Sequence, residues 1–329
     1  MYQPETYFIA LSFMILTMLC WGSWANTLKL CPEYRFQLFY WDYVIGLVAG
    51  AIFWGLTLGS FGSAGRPFYE DIVHAGLQPI VLAFVGGVVF NIANLLVVAA
   101  IDIAGLAVAF PIGIGLALVE GAIANYVISP KGNPRLLFGG IVLVVTAIVL
   151  DAIAYRLRES SRRATSRRGI VISLVGGLLM GTFYPFVAKA MTGEGAPGPY
   201  AAVLFFAIGV AACSVPVNYL LMRIPLDGRE PAAMKGYWSA PGIWHLWGVV
   251  GGAIWCTGTI ANFVASRAQV VGPAVSYSIG QGATMISACW GVFIWREFST
   301  APARSKAALV WMFIFFLCGL TAVAVAPLF

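Results

Sequence analysis

Two carboxylates inside apolar stretches are the side chains of this chain best placed to do chemistry. Glu120 follows Phe110-Pro111-Ile112-Gly113-Ile114-Gly115-Leu116-Ala117-Leu118-Val119 and precedes Gly121-Ala122-Ile123-Ala124-Asn125. At helical spacing Gly113, Ala117 and Ala124 share its face, and small residues mark the side of a helix that packs on its neighbours. Glu120 is therefore expected to point into a helix bundle, where a carboxyl group can carry a proton. The competing role is a structural acid hydrogen-bonded to another helix. Asp42 sits in Phe39-Tyr40-Trp41-Asp42-Tyr43, with Gly46, Ala49 and Gly50 on its face. It is shallower, and either carries a proton or anchors its helix end against Arg35 or Lys29.

Around these acids lie neutral polar and aromatic residues that suit an uncharged, hydroxyl-rich or amide-rich ligand. Asn91, Asn94, Asn262 and Gln281 supply amides that hydrogen-bond in both senses. Trp21, Trp24, Tyr184, Trp255 and Tyr277 supply ring faces for flat or apolar surfaces. Tyr277 and Gln281 are four apart and share a helix face. Each of these residues serves interhelical packing equally well, so the pocket reading rests on the cluster. The remaining charges read as boundary features. Lys189 and Asp151 lie near enough to span ends to reach the interface. Asp102 and Arg267 fall in tight connections, and Arg296 with Glu297 forms an interfacial pair.

Catalytic chemistry is not indicated. There is no nucleophile–base pair and no ligand cluster for a metal; His74 and His245 stand apart near helix edges. The six cysteines lack metal-ligand or disulfide spacing and read as single thiols. No cofactor is expected, and the glycine-rich run at 113–115 lacks the Lys-Ser/Thr of a phosphate loop.

The elements that must position these groups are membrane helices. The 329 residues are 60% hydrophobic and 10% charged, against about 25% charged in an ordinary soluble chain. Stretches long enough to cross the bilayer recur at 7–28, 37–59, 79–101, 104–127, 136–156, 169–190, 200–222, 243–266, 271–294 and 305–327. No Lys or Arg precedes the first, which reads as a retained helix rather than a signal peptide. The expected fold is all-α integral membrane: ten transmembrane helices as two inverted five-helix repeats, 1–156 and 169–329, joined by an Arg-rich linker, 157–168. Gly86-Gly87-Val88-Val89-Phe90 falls on Gly251-Gly252-Ala253-Ile254-Trp255, 165 residues later. Two similar halves with an odd number of crossings must lie in opposite orientations, with a solute site near the midplane between them. Most of the Lys and Arg fall in loops on the linker's side, which the positive-inside bias puts in the cytoplasm, with both termini outside. The net charge of +6 then reports topology and contact with the lipid bilayer, and no nucleic-acid partner is expected.

Ten spans, a 5+5 repeat and Trp21-Gly22-Ser23-Trp24-Ala25-Asn26 resemble the drug/metabolite transporter superfamily. Within it the chain resembles the glucose/ribose porter, rhamnose–proton symporter and ureide permease branch. Tyr40-Trp41-Asp42-Tyr43 is similar to the Tyr-x-Asp-Tyr of ureide permeases, and Phe90-Asn91-Ile92-Ala93-Asn94 sits where sugar porters carry a Gly-Asn segment. Ser276-Tyr277-Ser278-Ile279-Gly280-Gln281, with Gly291-Val292-Phe293 and Arg296-Glu297-Phe298, resembles their Ser- and Gly-containing stretch. The resemblance implies Asp42, Asn91, Asn94 and Gln281 as pocket positions and leaves Glu120 without a counterpart. The short central loop departs from the long one of ureide permeases, which favours the sugar-porter side.

The expectation is a proton-coupled importer of a small polar solute in the cell membrane, with a sugar as the leading substrate. Ureides, nucleobases or other small metabolites, imported or exported, are the alternative. A membrane-embedded enzyme and a scaffold subunit are the readings from other classes.

Overall fold

Long apolar runs leave backbone N–H and C=O groups no partners but each other in lipid, so the chain folds as helices. The structure, a computed structural model, describes residues 1–105, 108–109, 111–158, 167–226, 228–268 and 271–329. Among them no strand occurs, and nine helices are long and apolar enough to cross a membrane. Residues 159–166 of the expected linker, including Arg162 and Arg163, lie outside the described residues, as does Phe110.

Eleven helices carry the architecture. They are α1 Tyr7–Ser23, α2 Phe36–Leu56, α3 Leu77–Ala104, α4 Leu116–Ile128, α5 Pro134–Arg158, α6 Arg167–Ala190, α7 Pro199–Arg223, α8 Gly242–Ser266, α9 Gly272–Gly280, α10 Ala283–Cys289 and α11 Ala303–Val325. A turn at Asn26–Lys29 extends α1, and π-helical turns precede α4 at Pro111–Gly115 and follow α10 at Trp290–Ile294. Local chemistry sets the ends. The Asn133 side chain accepts the Arg135 N–H at 3.0 Å and so caps α5, while Gly105 ends α3 at a φ of 79° that side chains resist.

The stretch expected as one span over 271–294 is interrupted. Gln281 and Gly282 separate α10 from α9, which ends at Gly280, because the two glycines flanking Gln281 weaken the helix. The broken segment still runs between the two ends of the molecule: Gly272 abuts Lys131, and Glu297 beyond it meets Lys29. At the first end, Gly76 N–H donates to Gly195 O at 2.9 Å and Asn133 N–H to Ala326 O at 2.8 Å. There Asp71 accepts the Gly198 N–H at 2.7 Å. Burial pushes the Asp71 carboxyl up, partly offset by that N–H and by Arg66. At the other end Arg35 donates to the Glu230 carbonyl, and Arg158 reaches Glu297 at 3.0 Å.

Glycines let the central helices touch backbone to backbone. On the α2–α8 crossing, Gly46 lies against the Val249 carbonyl and Gly252 against the Tyr43 carbonyl, leaving no room for a methyl group. The α7–α3 crossing is built alike, with Gly209 against the Phe84 carbonyl and Gly87 against the Phe206 carbonyl. The outlying pair α5 and α11 is reciprocal: a methyl at Gly140 would fall 2.7 Å from Gly319 O, and one at Gly319 would fall 2.8 Å from Gly140 O. α8 is the most enclosed long helix, 72% of its membrane-length window being buried against 33% for α1. Outward faces carry Ile45, Phe53, Val142, Val215, Trp311 and Leu317, an apolar exterior suited to lipid.

Candidate functional site

Faces of α1, α3, α5, α6, α8 and α10, with the break between α9 and α10, line a cavity of about 510 Å³, within the range of small-molecule sites. α1 contributes Trp21 and Trp24, α3 Phe90 and Asn94, α6 Met180 and Phe183, and α8 Trp255. The break contributes Gln281, and α10 contributes Thr284 and Ser287. The aromatic floor is rigid. Trp21 and Trp255 stack with centroids 5.9 Å apart, and Phe90 lies 4.3 Å from Trp255; such pairs add about 0.5–1.5 kcal/mol each beyond their burial. Trp21 Nε1 donates to Thr259 at 3.1 Å, which fixes the indole. Asn94 donates to Tyr40 Oη at 3.4 Å. The Gln281 amide has no hydrogen-bond partner among the described residues and is free for a ligand.

At the surface end, Lys29, Tyr155, Arg158 and Glu297 ring the cavity mouth. Glu297 accepts Lys29 Nζ at 2.6 Å, Arg158 Nη1 at 3.0 Å and Tyr155 Oη at 3.2 Å. Burial pushes the Glu297 carboxyl up, but Lys29 and Arg158 outweigh it and hold the group below its ordinary value. Glu297 was expected to pair with Arg296. It turns to Lys29 and Arg158 instead, at a bend where Arg296 takes a left-handed φ of 51°.

The opposite end of the cavity is sealed by a buried polar layer. Tyr184 donates to Asn262 at 2.5 Å, Asn262 donates to Ser276 O at 2.9 Å, and Tyr277 donates to Ala117 O at 3.0 Å. So Trp21, Trp24, Asn94, Trp255 and Gln281 line the cavity, whereas Tyr184, Asn262 and Tyr277 form the seal. Asn91 does not line the cavity: it is fully buried, accepting from Tyr40 at 2.9 Å and Ser214 at 2.8 Å.

Neither expected proton carrier touches the cavity. Glu120 faces α6, where Thr182 donates to it at 3.3 Å and Gly181 leaves space for its Oε2, which has no partner. Asp42 is buried in a cluster under the α7–α8 connection. It accepts from Tyr237 at 2.7 Å and from Tyr34 at 3.5 Å, and His245 Nδ1 lies 2.9 Å away. Burial, with the carboxylate beside them, pushes both phenols up, so Tyr34 and Tyr237 stay O–H donors. His245 was set aside as an edge residue; its partner is 203 positions away and nothing local announces the pair. Asp151, expected to reach the interface, is instead buried within α5. No group of three or more metal-ligating side chains occurs among the described residues, and the six cysteines are free thiols.

Comparison with known proteins follows this architecture. The chain is 21% identical to "Ureide permease 1" of Arabidopsis thaliana, over 96% of this chain and 96% of that protein. It is 23% identical to "Ureide permease 4" of the same plant at the same coverage. A solved structure titled "Crystal structure of protein" superposes with a TM-score of 0.64 at 14% identity, covering 94% of this chain and 95% of the other; this likeness concerns the fold alone. Residues 14–326 match the family described as sugar transport protein. Both names denote transport rather than catalysis, and this multi-pass helical chain belongs to the sugar transport protein family.

Proposed function

We propose that this protein is a proton-coupled secondary transporter that moves one small polar solute at a time by alternating access. The observation that carries the reading is the cavity itself: an aromatic and amide floor, an open mouth at Lys29, Arg158 and Glu297, and a sealed far end. Opening the Tyr184–Asn262–Ser276 layer while closing the mouth would expose the same floor to the other side.

The proposal includes ten crossings in two inverted halves, 1–156 and 169–329, around the 157–168 linker. The matched glycine crossings support it, since Gly87 and Gly252 stand 165 residues apart and do the same work in each half. The linker side is cytoplasmic and both termini are outside, on the charge bias of the loops, and the host is the cell membrane.

A sugar is the leading solute, supported by the family's name. The names of the Arabidopsis relatives support a ureide, within an alternative that also takes in nucleobases and other small metabolites, imported or exported. Stacked indoles accept the apolar face of a sugar ring and a flat heterocycle alike. The proton is carried by Asp42, with His245 as its route to water, or by Glu120.

The test is uptake into sealed proteoliposomes with an alkaline interior, offered a pool of sugars, ureides and nucleobases, with contents read by mass spectrometry. A sugar concentrated only under the proton gradient supports the leading reading. A ureide or nucleobase replaces the substrate and keeps the mechanism. Entry that merely equilibrates removes proton coupling.

A further inference from the structure

One buried carboxyl lies outside both proton-carrier candidates. Asp151 is 3% exposed on the α5 face that packs on α11, and its Oδ1 has no hydrogen-bond partner. A carboxylate in that position gives up hydration at Oδ1 without a replacing hydrogen bond, and ionisable groups at this depth are functional candidates. Its surroundings lead to the cavity. Tyr155 lies one turn further along the same face, lines the mouth and donates to Glu297 at 3.2 Å. Tyr155 is within electrostatic reach of both Asp151 and Glu297. Phe298 packs edge-on against the Tyr155 ring at 4.9 Å, and Arg158 stacks on both rings, so the phenol ring is held with its hydroxyl on Glu297.

The other neighbours bring no competing partner. Ser305 of α11 donates to Ala154 O at 2.7 Å, and Arg304, Lys306 and Cys318 of that helix point to the exterior. The Pro111–Gly115 turn carries no titratable group. On α4, Glu120 turns to Thr182 of α6 and Tyr126 packs on Phe138, so among the described residues Glu297 is the ionisable group beyond its own helix whose charge acts on Asp151, with Lys29 and Arg158 paired to Glu297.

We propose that Asp151 is a proton-binding site serving the cavity mouth. For the proton to leave, the Tyr155 hydroxyl must turn from Glu297, take up the proton of Asp151 and pass its own phenolic proton to cavity water; no electrons move and no other bond changes. With Asp151 protonated, Lys29, Arg158 and Glu297 give the mouth one net positive charge. With it ionised, the added negative charge cancels that excess, and the field met by an entering solute changes. The site deepens the transport reading, but its occupancy does not depend on that reading.

The experiment is infrared titration of the purified full-length protein in lipid nanodiscs, without solute, following the carbonyl stretch of protonated carboxyls with isotopically labelled aspartate. The expected result is an aspartic acid band that vanishes as pH rises, is missing in Asp151→Asn, and shifts its midpoint at least tenfold in proton concentration in Glu297→Gln. Tyr155→Phe should slow deuterium exchange of that band at least tenfold. A band set unchanged by Asp151→Asn overturns the proposal. Where Asp151→Asn fails to fold, labelled wild type and Glu297→Gln decide alone, and a midpoint that does not move overturns it equally. A titrating Asp151 beside uptake that ignores protons would remove the coupling reading and leave the site; proton-driven uptake with a silent Asp151 would do the reverse.

Discussion

His245 Nδ1 stands 2.9 Å from Asp42 Oδ2, joining α8 to α2 where the two helices are already locked by Gly46 and Gly252. The imidazole is 27% exposed while the carboxylate is 3% exposed, so the histidine links a buried acid to water. Asp42→Asn should abolish concentrative uptake, reducing accumulation at least tenfold, while counter-flow exchange continues. Glu120→Gln discriminates the two carriers. If it abolishes accumulation and Asp42→Asn does not, the proton rides on Glu120.

Gln281 offers an amide that no described residue uses. Gln281→Leu should therefore leave the melting temperature in detergent unchanged while weakening solute binding. The loss of one neutral hydrogen bond, about 1 kcal/mol, corresponds to roughly fivefold in half-saturation. Transport kinetics beside a melting curve checks both halves; a lowered melting temperature would show that the amide supports the helix break instead.

Gly87 and Gly252 admit no methyl group against the Phe206 and Tyr43 carbonyls. Gly87→Val and Gly252→Val should each destabilise the protein by about 1–3 kcal/mol or more through overpacking, to similar extents. Thermal unfolding of the two variants is the measurement. A large effect at one site and none at the other would contradict the matched construction.

Glu297 gives a pH dependence of known sign. Its carboxyl sits below the ordinary glutamate value because Lys29 and Arg158 outweigh its burial. Its contribution to stability is thus fully present above about pH 4.3, the ordinary value, and is lost as pH falls through the lowered folded value. Wild type should melt above Glu297→Gln at neutral pH, and the gap should close in acid. A gap that persists unchanged would mean that the ion pairs are not its source.

The helices were legible because a bilayer admits few alternatives: eight of the ten apolar runs became helices within a few residues of their expected ends. The run expected over 104–127 begins late, because α3 takes Ala104 and the next span is helical only from Pro111. The run over 271–294 was marked by Gly280-Gln281-Gly282, which reads as a weak point but does not say whether the helix bends or breaks. The site was legible by residue type and not by role. Trp255 and Tyr184, or Asn94 and Asn262, carry the same groups, and only the packing of α3, α6 and α8 decides which face the cavity and which seal it. Asp42–His245 and the Lys29–Arg158–Glu297 set join residues from distant segments, so no spacing along the chain reports them.

The cavity is open at the mouth and closed behind Tyr184, Asn262 and Ser276. If that form predominates at rest, a solute arriving at the mouth finds nearly every molecule receptive. A solute arriving from the sealed side must wait for the minority of molecules that have turned, and its apparent affinity falls by that fraction. One set of contacts would then produce two half-saturation values, one for each face of the membrane, with the difference set by the resting bias of the empty carrier rather than by the site.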